Sequence, residues 1–255
     1  MRVLDYCLWW GSITLEFLLL CRALQTRLRL QYPVFYIYIL CIFLQSILRQ
    51  VVHHYRDDLY SYFYWTTEFV GVVIGCGIVF EIYRVGLASY PGAARMARSL
   101  LALLFVVALG KAVADAFGDP RWWAEATTMD IQRAMRTVQA IAIAALVGLF
   151  LFYSIPFGRN LRGILVGYGV FVVASVLWFT FAQTGGTRFH DFWSYLNPAT
   201  YDFALSIWVV YLWSPQPQSA LVPNMRLEEQ YQRMAARTRQ RLQQARGYLG
   251  KVMDP

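Results

Sequence analysis

Residues 97–118 read ARSLLALLFVVALGKAVADAFG. At about 1.5 Å of rise per residue, a helix of this length covers the ~30 Å of a bilayer's hydrocarbon core. Its apolar run is broken by Lys111 and Asp115, which stand four residues apart and share one helical face. A charge at membrane depth costs a few kcal/mol or more, so such groups turn toward a bundle interior and find partners there. The stretch therefore predicts a membrane-crossing helix that contributes ionic groups to a polar interior.

The rest of the chain has the same character. Of its 255 residues 58% are hydrophobic and 17% aromatic, while only 15% are charged. A soluble domain carries about a quarter of its residues as charges. Here they fall in short intervals between apolar runs, the pattern of an all-α, polytopic membrane protein. The net charge of +8 is carried almost wholly by arginine, with Lys111 and Lys251 the two lysines. Most of these arginines flank apolar spans, where topology and anionic lipid explain them without nucleic acid.

Seven spans are expected, near 5–22, 33–52, 61–84, 97–118, 131–155, 161–184 and 193–213. Pro33 opens the second, and Ser89-Tyr90-Pro91-Gly92, Gly118-Asp119-Pro120, Pro156 and Gly185-Gly186 punctuate later ones. This divides the chain into a seven-helix bundle over 1–214, a Pro-containing hinge over 215–223 and a basic tail over 224–255. The start MRVLDYCLWW lacks the basic region of a cleavable signal peptide. Arg22, Arg27 and Arg29, then Arg84, Arg95 and Arg98, then Arg159 and Arg162 mark alternate connections, and the tail adds more. The positive-inside rule then puts the amino terminus outside and the carboxyl terminus in the cytoplasm. Aromatic clusters at 60–65, 122–123 and 189–193 fit interfacial belts on the outer side.

With that orientation, Glu68, Lys111, Asp115, Arg136 and Asp202 come from four helices at similar depth in the outward half. They predict either an outward-facing polar pocket for a ligand or ion, or a set of pairs that only lock helix packing. A proton or substrate path is a third use. Glu16 lies deeper, without an evident partner, and Gln45 and Gln139 read as interhelical hydrogen-bond formers.

Catalytic and metal chemistry find little support. His53 and His54 precede Asp57 and Asp58, and His190 precedes Asp191. Two imidazoles and a carboxylate suit a transition metal, but neighbouring histidines on a helix point apart, so these are weak candidates and no metal is expected. No histidine stands at mid-depth on facing helices, which disfavours haem. Cys7, Cys21, Cys41 and Cys76 lie in apolar runs without metal spacing and read as small buried hydrophobes. No nucleophile–base pair or phosphate loop is present, so the protein is read as non-enzymatic and free of cofactor.

Some motifs resemble those of known seven-helix proteins. NPATY at 197–201 matches the NPxxY of rhodopsin-like receptors but sits near the outer end of the last span. EIYR at 81–84 alters the order of their acidic-Arg-Tyr motif, and Glu81 with Arg84 reads more simply as an i, i+3 pair. Retinal pumps need a lysine one turn after the aspartate of the last span, and Ser206 stands there after Asp202. That excludes retinal through the usual Schiff-base site. YFYWTTEF at 62–69 and EIYRVGLASYPG at 81–92 resemble the small uncharacterised seven-helix membrane proteins of acidobacteria, across about 30–215. Those are similar in topology to the seven-helix sensor regions of bacterial histidine kinases. The resemblance implies a multi-pass protein of a bacterial inner membrane with a sensing role, here without a kinase following.

In the tail, Leu227, Tyr231, Met234, Thr238, Leu242, Ala245 and Leu249 make a narrow apolar stripe at spacings of three and four. Arg233, Arg237 and Arg241 are among the arginines that fill the remaining faces. This basic amphipathic helix suits an anionic lipid surface, a protein partner or a second copy, through Arg233, Arg237, Arg241, Leu242 and Leu249. Three functions follow. A sensor or receptor-like module would bind a ligand, ion or partner outside and signal through the tail. A structural or accessory subunit of a larger, even homo-oligomeric, assembly would use its buried charges for packing. A small transporter would open its pocket to both faces.

Overall fold

The computed structural model describes residues 3–26, 28–55, 57–88, 90–118, 124–152, 158–181 and 187–214, with 233, 236 and 240 alone in the tail. Among them the chain is helical apart from short turns and bends between the helices, with no strand. The elements are α1 (Val3–Gln25), α2 (Leu28–Gln31), α3 (Pro33–Tyr55), α4 (Asp57–Gly86), α5 (Pro91–Gly118), α6 (Ala124–Phe152), α7 (Arg159–Phe181) and α8 (Thr187–Trp213). The hinge at 215–223 lies outside the described residues, and so do Arg237, Arg241, Leu242 and Leu249. Arg233 is described and exposed.

Five helices are long and apolar enough to cross a membrane, namely α1, α3, α4, α6 and α7, through windows such as Pro33–Val52 and Phe63–Gly86. Helices α5 and α8 are also long, at 28 and 27 residues. The apolar runs fix where these helices lie, but several start earlier than expected. Helix α4 begins at Asp57 rather than 61, α6 at Ala124 rather than 131, and α8 at Thr187 rather than 193. Polar first turns are compatible with helix when they project past the oily region, so hydropathy alone marks the apolar part. The four-residue α2 was not foreseen; the backbone of Tyr32 donates to Leu28 O at 2.9 Å and carries this turn into α3.

Contact pairs along the helices give their directions. Going along α3 from Val34 through Ile42 to Arg49, the partners on α4 descend from Glu81 through Gly71 to Thr67, so the two helices are antiparallel. Helices α7 and α8 are antiparallel too, with Phe171 beside Tyr201 and Ile164 beside Trp208. In contrast α1 runs parallel to α8, with Ser12 on Asp202 and Arg22 on Trp213. Helix α4 likewise runs parallel to α6, since Val72 meets Gln139 and Tyr83 meets Ala142.

The core lies where α3, α4, α6, α7 and α8 converge, and it is aromatic. Phe35, Tyr38, Tyr168 and Trp208 are essentially inaccessible. Phe35 meets Trp208 edge-on at 5.1 Å, and Tyr38 meets Tyr168 edge-on at 6.2 Å, the arrangements ring quadrupoles favour. Small residues allow these large ones in, as helix packing in membranes generally requires. A Cβ on Gly167 would strike the indole of Trp208, and one on Gly75 would strike the hydroxyl of Tyr168. By contrast α5 packs, among the described residues, only on α4 and α6. Its Leu100, Leu103, Val106 and Val107 are exposed, an apolar surface consistent with contact to a bilayer.

One ionic residue organises the end of the bundle near Arg22 and Arg84. Glu81 is 3% exposed, and its two carboxylate oxygens accept the backbone N–H groups of Val34 and Phe35 at 3.0 and 2.9 Å. These are first-turn donors of α3, which have no partner inside their own helix. A carboxylate at a helix amino terminus also meets the positive end of the helix dipole. The expected pair to Arg84 is present at 3.4 Å, but it is secondary to this cap between helices.

Candidate functional site

A partly open cavity of about 420 Å³ lies inside the bundle. Six helices line it, and each contributes from the same end: α1 with Trp9 and Ser12, α3 from Tyr38 to Arg49, α4 from Tyr64 to Gly71. Helix α6 adds Gln132 and Arg136, α7 adds Phe171 to Trp178, and α8 adds Asn197, Pro198 and Tyr201. Helix α5 contributes nothing among the described residues. The cavity thus sits where α1, α4, α6 and α8 begin and α3 and α7 finish.

Among the described residues its charged lining consists of Arg49, Glu68 and Arg136. Arg49 Nη1 pairs with Glu68 Oε1 at 3.0 Å. The same guanidinium donates to Thr67 Oγ1 through Nε and Nη2 at 3.0 and 2.7 Å and lies 4.5 Å from the ring centre of Tyr64. Three neutral or acidic groups therefore hold Arg49 in one geometry.

Arg136 is 5% exposed. Its Nη1 donates to Gln139 Oε1 at 3.2 Å and to Tyr168 Oη at 3.3 Å, and its guanidinium lies 4.7 Å from the ring centre of Phe171. Tyr168 in turn donates to Gln139 Oε1 at 3.0 Å. Gln139 Nε2 reaches α4, at Cys76 Sγ and Val72 O. The bare backbone of Gly75 is what lets Tyr168 approach α4 this closely. Every group that fixes Arg136 is neutral, and among the described residues no carboxylate lies within 4 Å of it.

The opposite wall carries acids that are already engaged. Glu16 is fully buried and its Oε1 accepts from Tyr201 Oη at 2.8 Å, while Oε2 has no partner among the described residues. Asp202 Oδ1 accepts from Ser12 Oγ. Neither carboxylate lines the cavity; Tyr201 and Ser12 stand between.

Of the five residues expected to share a pocket, Glu68 and Arg136 line the cavity and Asp202 lies just behind its wall. Lys111 is exposed on α5 and does not line it, and the side chain of Asp115 lies outside the described residues. Arg49, Tyr168 and Tyr201 were missed. Arg49 falls inside the expected second span, 33–52, and that position is the available signal. Tyr201 belongs to NPATY, and three of the five residues of that motif line the cavity. Gln45 and Gln139 do bridge helices, Gln45 by donating to Thr67 O at 3.0 Å.

The side chains of His53 and His190 lie outside the described residues. His54 is exposed and stacks edge-on with Tyr55 at 4.9 Å. Among the described residues no cluster of three His, Cys, Asp or Glu could hold a metal ion. All four cysteines are free, and none is buried as expected: Cys7 is exposed, and Cys21, Cys41 and Cys76 are partly exposed. No protein-family model, curated protein or solved structure matches this chain.

Proposed function

We propose that the protein is a non-enzymatic, sensor- or receptor-like module that crosses a bacterial inner membrane seven times and binds a ligand, ion or partner in this cavity from outside. The observation that carries the reading is the cavity itself. Six helices from across the whole chain converge on a partly open, ionic and aromatic space, and its charges are costly to keep in a bilayer without a use. Two features support seven crossings. Parallel pairing of α1 with α8 and of α4 with α6 is what alternating crossings produce, and α5 and α8 are long enough to complete the set. Arg22, Arg84, Arg95, Arg98, Arg159 and Arg162 stand at the end opposite the cavity, so the positive-inside rule supports an outward opening. The basic tail is the natural cytoplasmic contact, and the resemblance of 62–69 and 81–92 to acidobacterial seven-helix proteins agrees with sensing.

A second reading, an accessory subunit of a larger assembly, is favoured by Arg49 pairing with Glu68 and Ser12 with Asp202, since paired groups can serve packing alone. One experiment separates the two. The full chain is purified from native membrane in lipid nanodiscs, and co-purifying small molecules are identified by mass spectrometry. A bound small molecule lost on substitution of cavity residues is the expected result. Stoichiometric protein partners with an empty cavity would favour the subunit. Single-cysteine labelling at positions 29 and 195 tests the sidedness, with reactivity from outside expected at 195 only.

A further inference from the structure

The occupant's chemistry can be narrowed further, granting that the cavity is a ligand site. Among the described residues the charged lining amounts to two guanidiniums and one carboxylate, and Arg49 and Glu68 neutralise each other. Arg136 is left over. Its hydrogen bonds run to neutral oxygens, and the acids of the far wall are held by Tyr201 and Ser12. A buried guanidinium with no carboxylate in direct contact among the described residues is expensive, and hydrogen bonds to neutral acceptors offset only part of that cost.

A second observation at the same place points the same way. Gln132 precedes Arg136 by one helical turn and also lines the cavity. It is 5% exposed, and its Nε2 has no hydrogen-bond acceptor. A buried amide donor left unmade carries a penalty of its own. Arg136 therefore offers a charged donor on this wall, and rotation of the Gln132 amide would bring a second, neutral donor beside it. A planar carboxylate supplies acceptor oxygens for both, and guanidinium and carboxylate match as two parallel hydrogen bonds. The other walls are aromatic, with Trp9, Tyr38, Phe171 and Trp178, which suits an apolar or aromatic body.

We propose that the cavity binds a small organic monoanion, a carboxylate on an apolar or aromatic body, with its charged group on Arg136 and Gln132. With one guanidinium unpaired by a carboxylate among the described residues, one negative charge is what the site matches. A cationic ligand would meet Arg136 as a repulsive group.

The test uses the full chain in nanodiscs and three probes of one shape: benzoate, benzyl alcohol and benzylamine. Binding is read by calorimetry and by the fluorescence of the cavity tryptophans. Benzoate is expected to bind saturably, and the other two at least about tenfold more weakly, as loss of a charge-assisted pair implies. Gln132→Glu is nearly isosteric and supplies Arg136 with a built-in carboxylate. It should weaken benzoate at least about tenfold without lowering the Tm. Arg136→Lys keeps the charge but loses the fork, and should weaken benzoate by a smaller factor. Benzylamine or benzyl alcohol binding as tightly as benzoate would overturn the anion assignment while keeping the ligand cavity. Benzoate binding untouched by Gln132→Glu would overturn it as well. No saturable binding of any probe also overturns it, and if nothing co-purifies from native membrane the ligand reading falls too.

Discussion

Glu81 and Arg136 are both almost inaccessible, 3% and 5% exposed, and both sit in helices apolar enough to cross a membrane. Their surroundings differ in kind. Glu81 is satisfied on every side: two backbone N–H groups of α3 occupy its oxygens, and Arg84 stands behind one of them. Arg136 is held in place by neutral groups and an aromatic face, then left open toward a cavity. A buried charge whose partners are all internal stabilises the fold and can do nothing else. A buried charge with no carboxylate in contact, facing an opening, is poised for something that arrives. The two ends of one bundle thus use the same expensive ingredient for different purposes.

Substitutions can break this contrast. The largest loss of stability is expected for Glu81→Ala, about 3 kcal/mol, because hydrogen bonds to a charged group contribute about 1.5–3 kcal/mol each and two helix-end donors would be stranded. Thermal unfolding in detergent measures it; a loss below about 1 kcal/mol would mean that water or Arg84 replaces the cap. Gly75→Ala comes next, at about 1–3 kcal/mol, since the new methyl meets the hydroxyl of a fully buried Tyr168 that cannot yield. The same substitution should loosen the seat of Arg136 and weaken probe binding. Arg136→Met sharpens the comparison most directly. Stability should change by no more than about 1 kcal/mol, since apolar replacement of a buried charge is often neutral, whereas benzoate binding should disappear. If Arg136→Met instead unfolds the protein as Glu81→Ala does, the two charges are alike and the contrast is lost. The smallest effect belongs to Lys111→Met. Exposed on α5 and away from the cavity, it should leave benzoate binding unchanged.

That last expectation reverses the first impression made by residues 97–118, where Lys111 looked like a core charge. Its depth could be read, because span length and arginine bias set the level of each residue along the bundle axis. Its direction could not. A helix apolar on all faces does not say which side meets its neighbours, and among the described residues α5 packs on α4 and α6 alone. Arg136 has the same ambiguity in sequence and the opposite outcome, because α6 lies between α4, α5 and α7. The cap made by Glu81 was hidden for a related reason: its partners are backbone groups forty-odd residues earlier, and backbone donors leave no signature in residue type.

Composition and hydropathy alone therefore determined that this chain is helical and built from long apolar segments, since hydrogen-bond satisfaction in an oily solvent permits little else. They also placed Glu68, Arg136 and Asp202 at a common level. Which of those groups face one another, which is neutralised and which is left unpaired by a carboxylate among the described residues were decided only by the packing of six helices around one space. Rotation about a helix axis costs a uniformly apolar segment almost nothing until a neighbour is in place, so azimuth belongs to the tertiary structure and not to any single stretch of sequence.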